Sequence, residues 1–181
     1  MKKLLYVLLA TVLISCSADD ASITETEVNL TIDHFRTTSL YNGTAFIAAE
    51  TGSGQTFKLP VISGFDFVPG NRYQIVATRI TTKNDGINTS TDSYRFNSIV
   101  AQEAIPPNTR FTIPLADFYN GLGYVRFVTG SAESGFKINR EISIECGGLC
   151  GDIATKLLTE DVMTGEFEHG PDGSYILKNL Y

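Results

Sequence analysis

Few side chains in this sequence could act as acids, bases or nucleophiles. The chain has two histidines, His34 and His169. His34 ends an alternating apolar segment, a position that favours a hydrogen-bonded structural histidine over a catalytic one. Glu166 and Glu168 share a face if they lie on a strand, and with Asp172 they could supply the acid and base of glycoside cleavage.

The surrounding sequence does not favour catalysis. Neither a Gly-x-Ser-x-Gly elbow nor a His-Glu-x-x-His motif occurs. Exposed carboxylates on strands are also common without any catalytic role. The sequence therefore predicts no catalytic residue and no cofactor, and a secreted hydrolase stays as an alternative.

The N-terminus carries an export signal. Lys2 and Lys3 precede an apolar run that is too short to span a bilayer and fits a secretory signal over residues 1–15. The run ends in Leu-Ile-Ser-Cys16, which resembles a bacterial lipobox. That resemblance implies cleavage before Cys16 and lipidation of this cysteine.

The residues that follow Cys16 predict where in the cell envelope the protein is located. Ser-Ala-Asp-Asp at 17–20 resembles the acidic export signal of surface lipoproteins in the Bacteroidota, which implies the bacterial outer membrane and its cell-surface side. The periplasmic face is the alternative. Serine, threonine, alanine and acidic residues continue to Glu27, so residues 16–27 are predicted to form a flexible acidic tether.

Two more cysteines stand close together in Cys146-Gly-Gly-Leu-Cys150. In an oxidising envelope this pair predicts a disulfide that closes a very small loop. Such a loop contributes about 2 kcal/mol by chain entropy, enough to fix a turn but not to hold a fold together. No metal site is predicted, because the histidines lie far away in sequence.

Charge limits the kinds of partner. Removal of residues 1–15 takes away two lysines and no acidic residue, so the net charge changes from −6 to −8. A nucleic-acid partner is therefore not expected. The polar loop Lys83–Asp92 could offer oxygen ligands to Ca²⁺, but Arg95 stands where the EF-hand pattern requires glutamate, which favours a solvated hairpin loop.

Apolar residues alternate through most of the chain, which predicts a mainly β fold, an antiparallel sandwich or barrel. Residues 57–67 and 73–77 predict a hairpin around the Pro69-Gly70 turn. Residues 136–145 show the clearest alternation and predict one half-exposed strand. One short helix is predicted near residues 152–160, capped by Asp152 and packed through Ile153, Leu157, Leu158 and Val162.

Pro106 and Pro107 mark the best boundary within the chain, because paired prolines cannot lie inside a central strand. We therefore divide the chain after the tether into residues 28–103 and 104–181, as two β domains or two halves of one. Phe118, Tyr119 and Tyr124 gather at a predicted bend, where core and rim packing is favoured over a ligand groove.

Part of the chain resembles a known but uncharacterised domain. Ile-Ser-Gly-Phe at 62–65, Val-Pro-Gly at 68–70, Tyr-Gln-Ile-Val at 73–76 and Asp-Ser-Tyr-Arg-Phe at 92–96 are similar to a domain of unknown function in bacterial envelope lipoproteins, often found beside META domains. The resemblance covers roughly residues 57–102. It implies an envelope protein but no activity and no functional residues.

Together these features predict a lipid-anchored envelope protein with a binding or structural role. It would meet the membrane through its lipidated N-terminus, and an envelope protein or a glycan is its expected partner. An accessory or inhibitor subunit is the alternative, with contacts through the loops at residues 83–92 and 147–149.

Replacing Cys16 with alanine should abolish lipid labelling, because no other residue offers the lipobox thiol. Metabolic labelling with a fatty-acid analogue, followed by gel analysis, tests this. A Cys150→Ala variant should label normally and serves as the control. Labelling that persists in Cys16→Ala would rule out the lipoprotein assignment.

Overall fold

Extended backbone dominates the computed structural model, which describes residues 22–40, 43–84 and 89–181. The described chain is mainly β, with two sheets packed as a sandwich and one short helix, which confirms the predicted fold class. Within these ranges no helix is long and apolar enough to cross a membrane.

The first sheet uses the N-terminal half of the chain and is antiparallel throughout. Its strands are β1 (Ser22–Thr38), β2 (Thr44–Glu50), β3 (Thr56–Leu59), β4 (Asn71–Asn84) and β5 (Thr89–Ala104). They lie in the order β3-β2-β1-β4-β5, so β1 is central and β5 is an edge.

The second sheet uses the C-terminal half. Its strands are β6 (Phe111–Tyr119), β7 (Gly123–Arg126), β8 (Val128–Ser131), β9 (Gly135–Ile138), β10 (Ile142–Glu145), β11 (Met163–His169) and β12 (Tyr175–Leu180). Their order is β7-β6-β11-β12-β10-β9-β8, and only β10 and β12 are parallel neighbours among the described strands. Helix α1 (Cys150–Thr159) connects β10 to β11.

The chain changes sheet at the paired prolines. β5 ends at Ala104 and β6 begins at Phe111, so Pro106 and Pro107 lie in the connection between the sheets. Proline has no amide hydrogen to donate to a ladder, so this segment cannot continue β5. The change of sheet coincides with the boundary expected at residue 104.

The hairpin predicted for residues 57–77 is wrong. β3 ends at Leu59 and pairs with β2, whereas β4 pairs with β1 and β5. Residues 60–70, which we call the aromatic loop, lie between them; Pro60 has no N–H and Gly64 has φ +79°, so the loop is not regular strand. The turn prediction is supported at Gly70, which has φ +85°.

The strand predicted over residues 136–145 is two strands. β9 and β10 form a hairpin in which Ile138 pairs with Ile142, and Asn139 and Arg140 turn the chain with positive φ values of 47° and 65°. Ile138 and Ile142 lie directly opposite each other in the hairpin, so their side chains share a face and the alternation continues through the turn.

Residues 22–27, which were predicted to belong to the flexible tether, are strand instead. Residues 22–27 are the exposed start of β1 and pair in register with residues 78–83 of β4. Backbone pairing orders this segment without apolar burial, a contribution that composition alone does not reveal. Residues 1–21, with Cys16, lie outside the described residues.

Cys146 and Cys150 form the predicted disulfide, with their Cα atoms 5.1 Å apart. The bridge joins the end of β10 to the first residue of α1. The predicted cap is wrong: Leu149 is the N-cap and Asp152 lies in the first turn. Ile153 is fully buried as expected, but Leu158 is 85% exposed and Val162 is 50% exposed.

Two apolar clusters fill the sandwich. The first contains Val28, Leu30 and Ile32 of β1 and is covered by the aromatic loop. The second lies between α1 and the second sheet, and Phe35 of β1 belongs to it. β1 therefore contributes to both clusters, and its pairing with β2 shifts register between Ile32 and Arg36.

Replacing Ile153 with alanine should lower the free energy of unfolding by about 2–5 kcal/mol, because it leaves a cavity where α1 packs on the second sheet. The matched control is Leu158→Ala in the same helix, which should change stability by less than about 0.5 kcal/mol because Leu158 is exposed. Urea unfolding of both variants measures the difference. If both variants lost the same unfolding free energy, the assignment of the Ile153 face of α1 as the buried face would be wrong.

Candidate functional site

A cleft opens where the aromatic loop of the first sheet meets the β9–β10 turn and the β11–β12 turn of the second. Its main lobe has a volume of about 450 Å³, within the range typical of small-molecule sites. The side chains that matter for its chemistry are Arg36, Phe65, Asp66, Phe67, Glu141 and Ile142.

The aromatic loop is held firmly on the first sheet. Ser63 donates its amide hydrogen to the carbonyl of Tyr94 and accepts one from the amide of Phe96, both at 2.9 Å. Phe65 packs on Tyr73 with ring centroids 5.1 Å apart, and Phe67 packs on Phe46 at 5.2 Å. Both rings stay half-buried, so the cleft has a rigid and partly exposed aromatic wall.

Arg36 and Glu141 connect the two sides of the cleft. The Nη1 of Arg36 lies 3.2 Å from Oε2 of Glu141, and its Nη2 donates to the carbonyl of Thr44 at 2.9 Å. Thr44 donates its hydroxyl to Glu141 at 2.6 Å. The guanidinium also lies 4.9 Å from the centre of the Phe46 ring, a cation–π contact.

One donor of this group has no partner. The Nε of Arg36 is buried and makes no hydrogen bond with the described residues. Buried donors are nearly always paired with protein, water or ligand. Because this atom has almost no accessible surface, a ligand in the cleft could not reach it, and the guanidinium is held instead through its contacts with Glu141 and Thr44.

A second lobe continues from the first. It has a volume of about 280 Å³ and shares Glu141, Ile142 and Gly173 with the main lobe. Glu145 lies in this lobe and accepts a hydrogen bond of 2.5 Å from the hydroxyl of Ser174. Asp172 adds another carboxylate from a turn in which its φ is +52°.

The two histidines meet at the junction of the sheets. His34 lies on β1 and His169 ends β11, and Nδ1 of His34 is 2.9 Å from Nε2 of His169. Burial lowers the pKa of His34, although the Asp33 carboxylate opposes this. Burial, together with the nearby His34, lowers the pKa of His169 to about 4. Both rings are therefore neutral at neutral pH, and the pair links the sheets.

The carboxylates considered for glycoside cleavage are occupied by cations. Arg110 lies 2.7 Å from Glu166 and 3.5 Å from Glu168, and Lys178 lies 3.4 Å from Glu168. Asp172 lies in the second lobe of the cleft instead. This arrangement is an ion network in which two largely buried carboxylates are paired with more exposed cations, and it offers no acid placed opposite a base.

Where the structure describes them, the other sequence candidates do not assemble into a site. Phe118 is 57% exposed and packs on Tyr124 with ring centroids 5.3 Å apart, at the rim as expected. β4 and β5 pair up to Asn84 and Thr89, and residues 85–88 of the predicted polar loop lie outside the described residues. In the described chain, no three histidine, cysteine, aspartate or glutamate side chains form a group that could hold a metal ion.

Sequence reasoning missed the cleft, because its walls come from residues 36, 65–67 and 141–142. The only local signal is Gly-Phe-Asp-Phe at 64–67, where a polar residue separates two aromatics in a segment bounded by Pro60 and Gly70. No protein-family model, curated protein or solved structure matches this chain.

Stability should fall as the pH is lowered from about 6.5 towards 4. In that window an unfolded histidine, with its ordinary pKa near 6.5, binds a proton that folded His169 does not bind. Proton uptake therefore favours the unfolded state. The resulting loss of unfolding free energy reaches its full size below pH 4. Urea midpoints measured between pH 7.5 and 4 should show this loss.

The variant His169→Gln isolates the histidine contribution, since carboxylates titrate in both proteins. Glutamine can still bond to His34, so the variant should fold and its stability should depend less steeply on pH between 6.5 and 4. If the urea midpoints of the two proteins fell equally steeply with pH between 6.5 and 4, the lowered pKa of His169 would be contradicted.

Proposed function

We propose that the protein is a lipid-anchored binding protein of the bacterial outer membrane that holds its ligand in the cleft between the sheets. The observation that carries the proposal is the cleft itself. Its aromatic wall is fixed by packing, and the Arg36–Glu141 pair places fixed charged groups beside that wall. Ligand sites typically combine such apolar walls with a few fixed polar groups.

The chemistry of the cleft favours binding over catalysis. Neither lobe is lined by a histidine or cysteine of the described chain. Arg36 and Glu141 are held by each other and by Thr44, so neither is available as a mobile acid or base. Fixed polar groups of this kind orient a ligand, which is the role we assign to them.

Lipidation at Cys16 would anchor the chain, and the described structure is regular strand from Ser22 onward. Ser22 lies six positions after Cys16, a distance of at most about 22 Å when the chain is fully extended. Residues 22–27 then pair with β4, which pairs with β5, and together they extend the first sheet beyond its apolar cluster.

This three-stranded extension, which we call the ribbon, separates the anchor from the cleft. Ser22 starts β1 and Arg36 lies fourteen residues further along it. At about 3.3 Å per residue the two positions are about 45 Å apart. A ligand would therefore reach the cleft well away from the membrane surface, which supports an exposed binding role.

The accessory-subunit alternative rests on a different surface. β5 is an edge strand of sixteen residues, and Ile99 and Val100 on it are 47% and 61% exposed. An exposed edge can accept a strand from another protein. However, its pairing with β4 shifts register on either side of residues 98–99, and bulges of this kind discourage pairing along an edge.

Ligand screening by thermal shift tests the proposal on the full-length protein in detergent. A ligand at one hundred times its Kd should raise stability by about 2.7 kcal/mol. Phe67→Leu keeps an apolar side chain on the loop but removes the flat ring, and should weaken binding at least about tenfold. Val61→Ala is the matched control, because Val61 is 68% exposed on the same loop and does not line the cleft.

A ligand that binds both variants equally would place the site elsewhere. Crosslinking in intact envelopes tests the accessory-subunit alternative. Capture of one stoichiometric protein through β5, with no effect of Phe67→Leu, would favour an accessory subunit.

A further inference from the structure

The cleft already holds one organic cation, the guanidinium of Arg36. The Glu141 carboxylate lies 3.2 Å from it and balances its charge, and the Phe46 ring centre lies 4.9 Å from its central carbon. An aromatic face beside a carboxylate is a combination that attracts guanidinium and ammonium groups. Because this pair is complete within the chain, the other carboxylates of the cleft can be considered separately from it.

The same combination occurs a second time without a cation. Asp66 lies between Phe65 and Phe67 on the aromatic loop, and all three side chains line the main lobe. No arginine, lysine or histidine of the described residues lies within ion-pair distance of Asp66. Both rings are half-buried, so part of each stays accessible. A cationic group of a ligand could therefore lie against these rings and pair with Asp66.

Two further carboxylates line the second lobe. Glu145 and Asp172 both lie there, and neither forms an ion pair with the described residues. Glu145 accepts a hydrogen bond from Ser174, and a carboxylate has lone pairs for more than one donor. The two lobes share Glu141 and Gly173, so one ligand can extend through both.

The charge of the lining favours a positively charged ligand. Among the described residues that line the two lobes, four are acidic and Arg36 alone is basic, which gives the lining a net charge of −3. A cleft lined mainly by one sign of charge raises the local concentration of ligands of the opposite sign. An anion would be repelled, and a neutral ligand would leave three carboxylates without a counter-charge.

An organic cation fits this lining better than a metal ion. No three histidine, cysteine, aspartate or glutamate side chains of the described chain form a group that could hold a metal ion. The rings of the aromatic loop and the side chain of Ile142 also line the main lobe. They offer apolar surface to an alkyl stem but no oxygen, nitrogen or sulfur ligand to a metal. A stem with an ammonium group at each end would use the rings and both lobes together.

We infer that the cleft binds an organic dication with two ammonium groups on an apolar stem, one ammonium at Asp66 against the rings of Phe65 and Phe67 and the other at the carboxylates of the second lobe. This inference rests on the proposed binding function and names its ligand class. It involves no covalent step.

Three probes that share a stem of five methylene groups but differ in charge test the inference. They are 1,5-diaminopentane, which is a dication, 1,5-pentanediol, which is neutral, and heptanedioate, which is a dianion. Calorimetry and saturation-transfer NMR with the full-length protein in a nonionic detergent should show the diamine binding at least about tenfold more tightly than the other two. Its affinity should fall at least about threefold between about 50 and 500 mM NaCl, because salt screens charge pairs in an open cleft.

Two further probes test the second charge and the source of the ammonium groups. 1-Aminopentane should bind more weakly than the diamine, because it leaves the second lobe unpaired; equal affinities would overturn the assignment of a dication. A blocked dilysine peptide carries two ammonium groups on a peptide backbone. Tighter binding of this peptide than of the diamine would support a basic peptide as the source of the dication, and weaker binding would support a free diamine.

Substitutions that keep the size of a side chain but remove its charge locate the site. Asp66→Asn should weaken the diamine about fivefold. Glu133→Gln is the matched control, because it removes the same charge from an exposed position outside both lobes, and it should change the affinity less than about twofold. The double variant Glu145→Gln/Asp172→Asn should bind the diamine no more tightly than 1-aminopentane. Circular dichroism should confirm that each variant is folded.

The outcomes distinguish this inference from the proposed function. Preferred binding of pentanediol or heptanedioate that is lost in Phe67→Leu would overturn the dication while supporting the cleft. Diamine binding that weakens equally in Asp66→Asn and Glu133→Gln would be general attraction to an acidic protein and would also overturn it. If no probe bound, the dication would be overturned, and a screened ligand lost in Phe67→Leu would keep the cleft function. Diamine binding unchanged in both Asp66→Asn and Phe67→Leu would contradict both.

Discussion

The irregularity of β1 between Ile32 and Arg36 is the constraint on which the arrangement of the two sheets depends. A regular strand sends alternate side chains to opposite faces. Here His34 and Phe35 are adjacent and both buried, and Phe35 belongs to the second apolar cluster whereas Ile32 belongs to the first. One strand therefore stabilises both clusters, and a regular β1 could not reach the second sheet without losing its place in the first.

The cleft follows from this connection. Near the crossing, single polar contacts join the sheets: His34 with His169, Arg36 with Glu141, and the Arg36 amide with the hydroxyl of Tyr175. Burial raises the pKa of Tyr175 to about 12, so its hydroxyl stays protonated and can serve this junction at physiological pH. Discrete contacts hold the two sides in register without filling the space between them, and the aromatic loop and the β9–β10 turn border the space that remains.

Local pattern was enough to predict the fold class and the pairing of Cys146 with Cys150. Local pattern gave wrong predictions where the conformation of a segment depends on which strand lies beside it. Residues 57–67 alternate like a strand, but only β3 joins a ladder, and the rest covers the first cluster as the aromatic loop with a single bridge from Ser63 to β5. Residues 22–27 have the composition of a spacer, yet they become strand because β4 extends beside them. The cleft could not be predicted, since Arg36, Phe67 and Glu141 come together only after both sheets have formed.

The central strand β1 connects the proposed lipid anchor to the proposed binding cleft. On the proposed anchoring, the exposed start of β1 lies nearest the lipid, and its far end carries His34, Phe35 and Arg36 to the junction. Antiparallel pairing with β4 from Ser22 to Ile32 makes this path a continuous piece of sheet. A sheet resists bending far more than a free spacer of equal length, so the cleft keeps a defined distance from the first described residue. Changes in the ribbon should therefore alter where the cleft stands without altering what it binds, because the two regions share backbone pairing but no side-chain contact in the cleft walls.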